Sequence, residues 1–408
     1  MANMSRRRIV HVVYRFAIGG LENVIVQLIN RLPADDYEHI VLSLTSISDF
    51  KNRIERPDVQ FIELNKPPGH AIPLYPKIFR LLRQLKPDVL HTCNLAALEI
   101  VPIGWLAGVP CRIHAEHGWD AHDPDGTNPR YQRLRKLYKP FVSHYVTVSQ
   151  ELHDYLGKAV HVPPERRSLI ANGVDTERFS PAIGISPTVP GCPFSPRQHW
   201  LLGTVGRLET VKNQPYLARA FVRLAKQHPE VLERMRLIIV GDGPLRGQVE
   251  AILAEANLQA YAWLPGARDD IPEILRMLDC FTLPSLAEGT SCTLQEAMAT
   301  GLPAIVTTVG GNTKLVEQTR NGWWTPANDE SEFSQALWAA WSNPEALQAY
   351  GSEARRLALE TFALDGMISA YATLFADGKP HRGNTTQSTV IPAKAGIQED
   401  VTRSNNFD

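Results

Sequence analysis

The sequence is poor in cysteine and has almost no net charge. Its five cysteines, an odd number, include no CxxC pair, which argues against a disulfide framework and a structural zinc site and fits a reducing compartment. Lysine plus arginine number 42 against 43 for aspartate plus glutamate, so the basic excess typical of nucleic-acid-binding proteins is missing. With 408 residues, 44% of them hydrophobic, the composition is that of a globular protein of two domains.

Long apolar runs are also missing. Three arginines at positions 6–8 precede an apolar segment, but His11 and Arg15 interrupt it before the hydrophobic region of a signal peptide can form. The longest apolar stretch, residues 100–109, contains Pro102 and is about half as long as a membrane-spanning helix requires. These absences predict a cytoplasmic protein whose contact with membranes is limited to their surface.

What the sequence does contain is a repeated alternation of strand-like and helix-like segments. Up to residue 177 this pattern predicts strands at 9–14, 39–44, 59–64, 88–91, 112–116, 144–148 and 169–172. A second series predicts strands at 200–205, 237–240, 280–283 and 304–306, followed by one or two closing helices at 344–375. Repeats of this kind predict an α/β protein with two doubly wound, Rossmann-like domains whose parallel sheets face a central cleft.

The composition also predicts where the domains end. We expect an N-terminal domain at 1–177, a linker or insert with five prolines at 178–198 and a C-terminal domain at 199–376. Residues 377–408 are polar and non-periodic, which is typical of a disordered tail. Because ligands of open α/β sheets bind at the carboxyl ends of the strands, we expect the functional site in the cleft.

The strongest motif follows the predicted strand at 280–283. It consists of Glu288, a short turn and a helix that carries Glu296; the turn residues are Gly289, Thr290 and Ser291. Free backbone N–H groups at a helix start bind anions, and carboxylates accept hydrogen bonds from sugar hydroxyls. The structural alternative treats Thr293-x-x-Glu296 as a capping box and Glu288 as an ordinary loop charge.

A second motif follows the predicted strand at 200–205. Gly206 precedes Arg207 and Lys212, and a guanidinium with an ammonium five residues away suits a diphosphate. The alternative is a solvated helix start. The glycine turn at 241–243 lacks the full GxGxxG spacing, which favours a packing turn over a nucleotide site.

In the first half, Gly19 and Gly20 form the first strand-to-helix turn, where glycine permits close approach of a ligand but also suits a plain tight turn. His117 ends a predicted strand and points to ligand contact, although a structural histidine is the alternative. His114 and His117 are three residues apart and therefore lie on opposite faces of a strand, which excludes a metal site made by this pair.

Two segments concentrate positive charge in the first half, residues 76–86 and 130–139, the second with five cations in ten residues. A solvated helix face explains each of them. The alternative is contact with an anionic lipid surface.

Taken together and in this order, the motifs resemble those of the retaining family 4 glycosyltransferases with the GT-B fold. The E-x7-E pair matches Glu288 and Glu296, and the Gly-Arg-Leu…Lys segment matches residues 206–212. The Asn-Gly-Val-Asp segment matches 172–175, the glycine turn matches 19–20 and the His-Gly pair matches 117–118. Within the family, residues 11–23 and 116–120 look most like sugar transferases associated with exosortase (PEP-CTERM) exopolysaccharide loci.

The resemblance implies a role for each site residue. Arg207 and Lys212 would neutralise the diphosphate of a UDP- or GDP-type nucleotide sugar, Glu296 would bind the ribose and Glu288 the transferred sugar. Backbone N–H groups of residues 289–291 would lie near the phosphates, His117 near the sugar, and Gly19 and Gly20 near the acceptor and diphosphate. No metal or other cofactor would be needed, and the acceptor would be a saccharide, either free or linked to a polyprenyl carrier.

Two rival functions fit the same fold. A nucleotide-sugar epimerase would use an acid/base set that is not recognisable in this sequence. A nucleotide-sugar-binding protein without turnover would not need the charged and histidine residues that the motifs retain. A dinucleotide dehydrogenase fits poorly because the turn at 18–23 lacks the third glycine of the dinucleotide motif.

Overall fold

The computed structural model describes residues 6–120, 123, 126–184 and 186–377. Its strands, numbered β1 to β13 in chain order, are Arg7–Val13, Tyr37–Ser43, Gln60–Glu63, Val89–Cys93, Cys111–Glu116, His144–Thr147, Arg167–Leu169, Trp200–Val205, Met235–Val240, Ala262–Gly266, Cys280–Leu283, Ala304–Thr307 and Gly322–Thr325. The first seven form one parallel sheet in the order β3-β2-β1-β4-β5-β6-β7. The other six form a second parallel sheet in the order β10-β9-β8-β11-β12-β13.

The α-helices, numbered α1 to α14 in chain order, are Gly20–Arg31, Tyr75–Leu85, Asn94–Leu98, Val101–Leu106, Pro129–Tyr138, Gln150–Lys158, Gln214–Gln227, Arg246–Glu255, Ile271–Met277, Cys292–Ala299, Asn312–Leu315, Glu330–Ser342, Pro344–Thr361 and Leu364–Asp377. Among the described helices, none is both long and apolar enough to cross a membrane. The two doubly wound domains predicted from the βα repeats are confirmed.

Every predicted strand is present with small shifts of its ends, the largest at β7, predicted two to three residues later in the chain. Two strands and one helix were not identified individually. Pro265 lies inside β10 and removes a backbone donor, which weakens the sequence signal of an edge strand. The strand β13 has only four residues, and α12 lies between it and the closing helices.

The expected linker at 178–198 is not a free connection between domains. Phe179, Val189 and Phe194 are buried in one hydrophobic cluster with Leu201 and Phe281 of the second domain. The prolines predicted irregular backbone correctly, but three apolar side chains among them anchor that backbone to the second domain's core. The segment is therefore part of the C-terminal domain by packing.

The helix α14, which was expected to close the C-terminal domain, packs on the N-terminal domain instead. Tyr371 and Phe375 pack in the core of the first domain with Ile9 and Ile25, and the Arg7 guanidinium donates to the carbonyl oxygens at the end of α14. The chain crosses back beside Val174, whose backbone pairs with residues 362 and 364. The last helix thus completes the N-terminal domain. Of the expected tail at 377–408, residue 377 ends α14 and residues 378–408 lie outside the described residues.

Candidate functional site

The two domains meet at the carboxyl ends of their strands. The hydroxyl of Thr290 donates to the carbonyl oxygen of Val148 across the cleft, at 3.2 Å. A Cβ placed on Gly20 would lie 3.3 Å from the sulfur of Cys292, and one on Gly289 would lie 3.5 Å from the Cα of Gly118. Three of the predicted site residues therefore lie where the two domains contact each other, and a side chain at Gly20 would fit only tightly there.

The central feature of the site is an ion pair between the two motifs of the second domain. Lys212, in the loop after β8, donates from Nζ to Oε1 of Glu288 at 2.5 Å. The hydroxyl of Ser285, at the end of β11, donates to the same carboxylate oxygen at 2.7 Å. The Glu288 side chain is 8% exposed and that of Lys212 is 23% exposed, so the pair is largely shielded while the ammonium still reaches solvent. Glu288 is thus a loop residue whose carboxylate is paired with a cation of the other motif.

Gly310 and Gly311, which the sequence analysis did not identify, pack against the backbone of the Glu288 loop. Gly310 has φ +48°, and a Cβ there would lie 1.7 Å from the carbonyl oxygen of Glu288. The N–H of Gly311 donates to the carbonyl oxygen of Gly289 at 3.0 Å. Side chains at either position would displace the loop. The available sequence signal was the doublet of glycines directly after the predicted strand at 304–306.

The helix α10 does not begin at Thr293, as the capping-box alternative requires. Its N-cap is Ser291, whose hydroxyl accepts a hydrogen bond from the backbone N–H of Leu294. Thr293 already lies inside the helix, so the proposed capping box of Thr293 and Glu296 is wrong. The Ser291 side chain is used for capping, which leaves its backbone N–H as the group available to a ligand.

Glu296 lies on α10, half-buried, and its carboxylate receives no hydrogen bond from any described residue. Burial raises the pKa of Glu296 to about 7, against the opposing effect of Arg178 and Arg53. The thiol of Cys292 is close to both carboxylates: burial raises its pKa to about 12, and Glu296 and then Glu288 add to this effect. The two acidic residues of the E-x7-E motif therefore approach one region of the cleft.

Arg207 lies at the mouth of the cleft. Its side chain is 62% exposed, and Nη1 donates to Oε1 of Glu209 at 3.0 Å. Across the cleft, burial raises the pKa of Glu22 on α1, and the residue's own backbone hydrogen bond and the charges of Arg207 and Arg15 oppose that shift. The charge of Arg207 therefore acts on the first turn, while its hydrogen bond is to Glu209.

The turn at 241–243 has the packing role that the sequence favoured. Gly241 and Gly243 have φ angles of +131° and +155°. Cβ atoms there would lie 2.0 Å from the carbonyl oxygen of Gly206 and 2.5 Å from that of Leu208. The turn therefore supports the loop that carries Arg207.

On the N-terminal side, the backbone of Gly19 is extended, with φ −172°. Any residue can adopt this conformation, so the backbone does not require glycine at this position. A Cβ there would lie 2.2 Å from the Oε2 atom of Glu22, so the first turn leaves little room beside that side chain. His117 follows β5 and is held by its backbone N–H, which donates to Oδ1 of Asn94 at 2.7 Å.

The His117 ring has both nitrogens buried, and neither forms a hydrogen bond with a described residue. Burial lowers the pKa of His117 to about 4, although the Glu116 carboxylate opposes the shift, so the ring is neutral near pH 7. The His114 ring is held differently: its Nδ1 lies 2.9 Å from the hydroxyl of Thr92. The donor atoms of His91, Cys93 and His117, in contrast, lie within 4.8 Å of one another. The sequence analysis missed this group; the signal was a His-x-Cys pair on one strand.

The basic helix α5 is only partly a surface feature. Arg135 is 2% exposed and donates from Nε to Oε1 of Glu116 at 2.7 Å and from Nη2 to Oε2 at 3.3 Å. Burial raises the pKa of Glu116, but Arg135 and His114 outweigh it and hold that pKa well below its usual range. The expectation that all cations at 130–139 form one exposed face is wrong, because Arg135 satisfies a buried carboxylate.

Comparisons with known proteins agree with this architecture. Residues 18–178 match the model described as Glycosyltransferase Family 4, and residues 193–357 match the model of Glycosyl transferases group 1. The chain is 30% identical over 344 residues to the Escherichia coli UDP-Gal:alpha-D-GlcNAc-diphosphoundecaprenol alpha-1,3-galactosyltransferase, covering 82% of this chain and 87% of that enzyme. The chain belongs to the group 1/family 4 glycosyltransferases.

Solved structures show the same fold. The Anabaena protein Alr3699/HepE in complex with UDP-glucose superimposes with a TM-score of 0.74 at 20% identity, over 90% of this chain and 99% of that one. A sucrose-phosphate synthase from Thermosynechococcus elongatus gives a TM-score of 0.73 at 18% identity, over 91% and 98% of the two chains. This glycosyltransferase therefore has the GT-B architecture that the motifs implied, and its relatives favour transfer over the epimerase and binding-protein alternatives.

Proposed function

We propose that this glycosyltransferase moves a hexosyl group from a UDP- or GDP-type nucleotide sugar to a saccharide carried on a polyprenyl diphosphate. The observation that carries the proposal is the ion pair of Lys212 and Glu288 at the cleft, beside the cross-domain contact of Thr290. A partly shielded ammonium that a ligand can still reach is suited to the diphosphate, and an adjacent carboxylate is suited to sugar hydroxyls. The name of the E. coli relative pairs a nucleotide sugar with a lipid-diphosphate acceptor of this class.

The site residues divide the donor between them. Lys212 and Arg207 neutralise the diphosphate as it leaves, and the backbone N–H groups of residues 289–291 face its oxygens. Glu288 binds hydroxyls of the transferred sugar, and Glu296 accepts hydrogen bonds from the ribose. From the N-terminal domain, neutral His117 contacts the sugar, while Gly19 and Gly20 leave room for the acceptor and the diphosphate.

Transfer proceeds with retention of configuration. Glu288 already accepts hydrogen bonds from Lys212 and Ser285, so it is held as a binding group and not as a free nucleophile. The acceptor hydroxyl attacks the anomeric carbon from the face that the diphosphate leaves. The new glycosidic C–O bond forms as the bond to the phosphate oxygen breaks, and the leaving diphosphate takes the hydroxyl proton. The two cations and the helix start supply the charge stabilisation, so no metal ion takes part.

The acceptor side adjoins a surface suited to a membrane. Exposed cations lie on α2 and α5, and Phe79 and Trp105 are 37% and 51% exposed nearby on α2 and α4. A peripheral position on the cytoplasmic face of the membrane would bring the cleft to a lipid-linked acceptor. The resemblance of the N-terminal motifs to exosortase-associated transferases supports a place in exopolysaccharide or other cell-surface glycan synthesis.

The test uses the full-length protein with UDP- and GDP-sugars and an N-acetylglucosaminyl diphospholipid acceptor. We expect nucleotide release that depends on the acceptor, a product with the anomeric configuration of the donor by NMR, and no loss of activity with a chelator. An altered nucleotide sugar without acceptor would indicate an epimerase. Binding without turnover would indicate a non-catalytic protein. Inhibition by chelator that Mg²⁺ reverses would contradict the metal-free mechanism.

A further inference from the structure

A group of soft metal-ligating side chains lies in the N-terminal domain, on the side of the cleft that faces Gly289. His91 and Cys93 are two residues apart on β4, so their side chains share one face of the strand. Cys93 is in register with Ala115 on β5, and His117 follows two residues beyond Ala115. The strand order therefore brings together three donors that are far apart in the sequence.

The distances suit a small metal ion. Nε2 of His91 lies 3.8 Å from Sγ of Cys93, and the donor atoms of all three residues lie within 4.8 Å of one another. A tetrahedral zinc ion, with Zn–S of about 2.3 Å and Zn–N of about 2.0–2.1 Å, holds its sulfur and nitrogen ligands roughly 3.6 Å apart. Small side-chain rotations would complete the geometry.

A row of buried histidines orients the first ligand. Nδ1 of His91 lies 2.9 Å from Nδ1 of His11, and Nε2 of His11 lies 3.0 Å from Nδ1 of His39. Each of these two contacts needs one donor and one acceptor nitrogen, which a row of neutral imidazoles supplies. When His91 donates from Nδ1 to His11, its Nε2 presents a lone pair towards Cys93. A second hydrogen bond of this kind is what orients metal-bound histidines.

The third ligand is available without breaking a contact. Both ring nitrogens of His117 are buried and form no hydrogen bond with a described residue. Cys93 is 1% exposed and lies in the same hydrophobic cluster as Tyr371, whereas His117 is partly buried. A set of two imidazoles and one thiol is chemically suited to Zn²⁺ and poorly suited to Mg²⁺ or Ca²⁺.

We propose that His91, Cys93 and His117 bind a zinc ion, and that the bound ion inhibits the transferase by holding His117 away from the donor sugar. Zinc from solution replaces the thiol proton of Cys93, which passes to the buffer, and no electron is transferred. Water occupies the fourth position. The inhibition rests on the proposed function of His117, whereas metal binding itself does not.

Metal binding is tested first, without any nucleotide sugar. Full-length protein is titrated with Co²⁺, whose thiolate charge-transfer absorption reports a sulfur ligand, and with Zn²⁺ in equilibrium dialysis. Cys93→Ala should weaken binding by at least about tenfold, with Cys93→Ser as the variant closer in size if alanine impairs folding. Cys111→Ala, which changes another buried strand cysteine of the same sheet, should bind like the wild type. Unchanged binding in both Cys93 variants, or loss of binding in Cys292→Ala instead, would overturn the site.

Inhibition is tested second. Zn²⁺ should inhibit nucleotide release by the wild type and by Cys111→Ala, while Cys93→Ala should keep its basal activity and lose the inhibition. Inhibition that persists in Cys93→Ala, or zinc binding that leaves transfer unchanged, would overturn the inhibitory role. If the wild type shows no transfer at all, the proposed function fails, but the cobalt spectrum still decides whether the metal site exists.

Discussion

The two domains line the cleft with groups of different character. The C-terminal domain contributes charges that already have partners, Lys212 with Glu288 in a largely shielded pair and Arg207 with Glu209 in an exposed one. The N-terminal domain contributes a glycine turn and a neutral histidine whose ring nitrogens are buried. On the proposed function, we expect the C-terminal domain to hold the charged part of the donor and the N-terminal domain to contact the sugar and acceptor.

The same contrast separates structural charges from functional ones. In the N-terminal domain, Glu116 and Arg135 are almost completely enclosed and satisfy each other. In the C-terminal domain, Lys212 keeps access to solvent and Arg207 is mostly exposed. A charged pair that a ligand is to displace or share must remain accessible, whereas an enclosed pair serves packing. Burial, more than residue type, therefore distinguishes the two roles.

Breaking the enclosed pair should have the largest effect on stability. Arg135→Ala leaves the Glu116 carboxylate buried without its partner, at an expected cost of about 3–5 kcal/mol in the free energy of unfolding. Arg207→Ala, at the exposed pair, should cost no more than about 1 kcal/mol. Urea denaturation of both variants measures the difference. Equal losses would show that burial does not separate the pairs.

Removing the accessible cation should leave the fold intact and impair catalysis. Lys212→Ala is expected to lower turnover by about two to three orders of magnitude, the scale for losing a preorganised electrostatic group. Lys226→Ala, which changes an exposed lysine at the end of α7, is the matched control and should act like the wild type. Acceptor-dependent nucleotide release reports both. Wild-type turnover in Lys212→Ala would remove this residue from the leaving-group site.

Much of the fold could be predicted because β-branched strand runs and glycine turns are local signals. The strand β10 lacked that signal because proline interrupts it. Lys212 and Glu288 were identified separately from motifs, but their contact joins loops 76 residues apart and depends on the strand order. The inward direction of Arg135 was not predictable for a similar reason, since its partner Glu116 lies on another element. Local patterns show which residues carry chemistry, and the topology decides which of them meet.

The two carboxylates of the E-x7-E motif should separate by function. Glu296→Gln is expected to weaken binding of free UDP or GDP by about tenfold or more, because a hydrogen bond to a charged group contributes about 1.5–3 kcal/mol. Glu288→Gln should spare nucleotide affinity and lower sugar transfer. Calorimetric titration of both variants, alongside turnover, makes the distinction. Equal losses of nucleotide affinity would contradict the assignment.

The raised pKa of Glu296 predicts a pH effect specific to that residue. Its folded-state pKa of about 7 lies above the ordinary value, so the carboxyl is protonated below pH 7 and ionised above it. Burial of Glu296 therefore lowers stability as pH rises from its ordinary value towards 7. The affinity for nucleotide should increase as the pH rises through 7, because the ionised carboxylate accepts hydrogen bonds from the ribose hydroxyls. This increase should be no larger than the factor by which Glu296→Gln weakens nucleotide binding. The nucleotide phosphates titrate in the same way with the Glu296→Gln variant, but the additional increase from Glu296 should be missing. Identical pH profiles of nucleotide affinity for the variant and the wild type would contradict the prediction.

Membrane contact should give the smallest effect and distinguish the domains once more. Arg133 and Lys136 are exposed on α5, whereas Arg135 is not available to lipid. Each cation near an anionic surface contributes about 1 kcal/mol, or about fivefold in affinity, screened within a Debye length of about 8 Å at physiological salt. Changing Arg133 and Lys136 to Gln should therefore weaken sedimentation with anionic vesicles at low salt, while the same change at Arg223 and Lys226 of the C-terminal domain should not. If wild type ignores anionic vesicles, or both double variants bind equally well, α5 is a solvated helix face and the acceptor reaches the cleft without it.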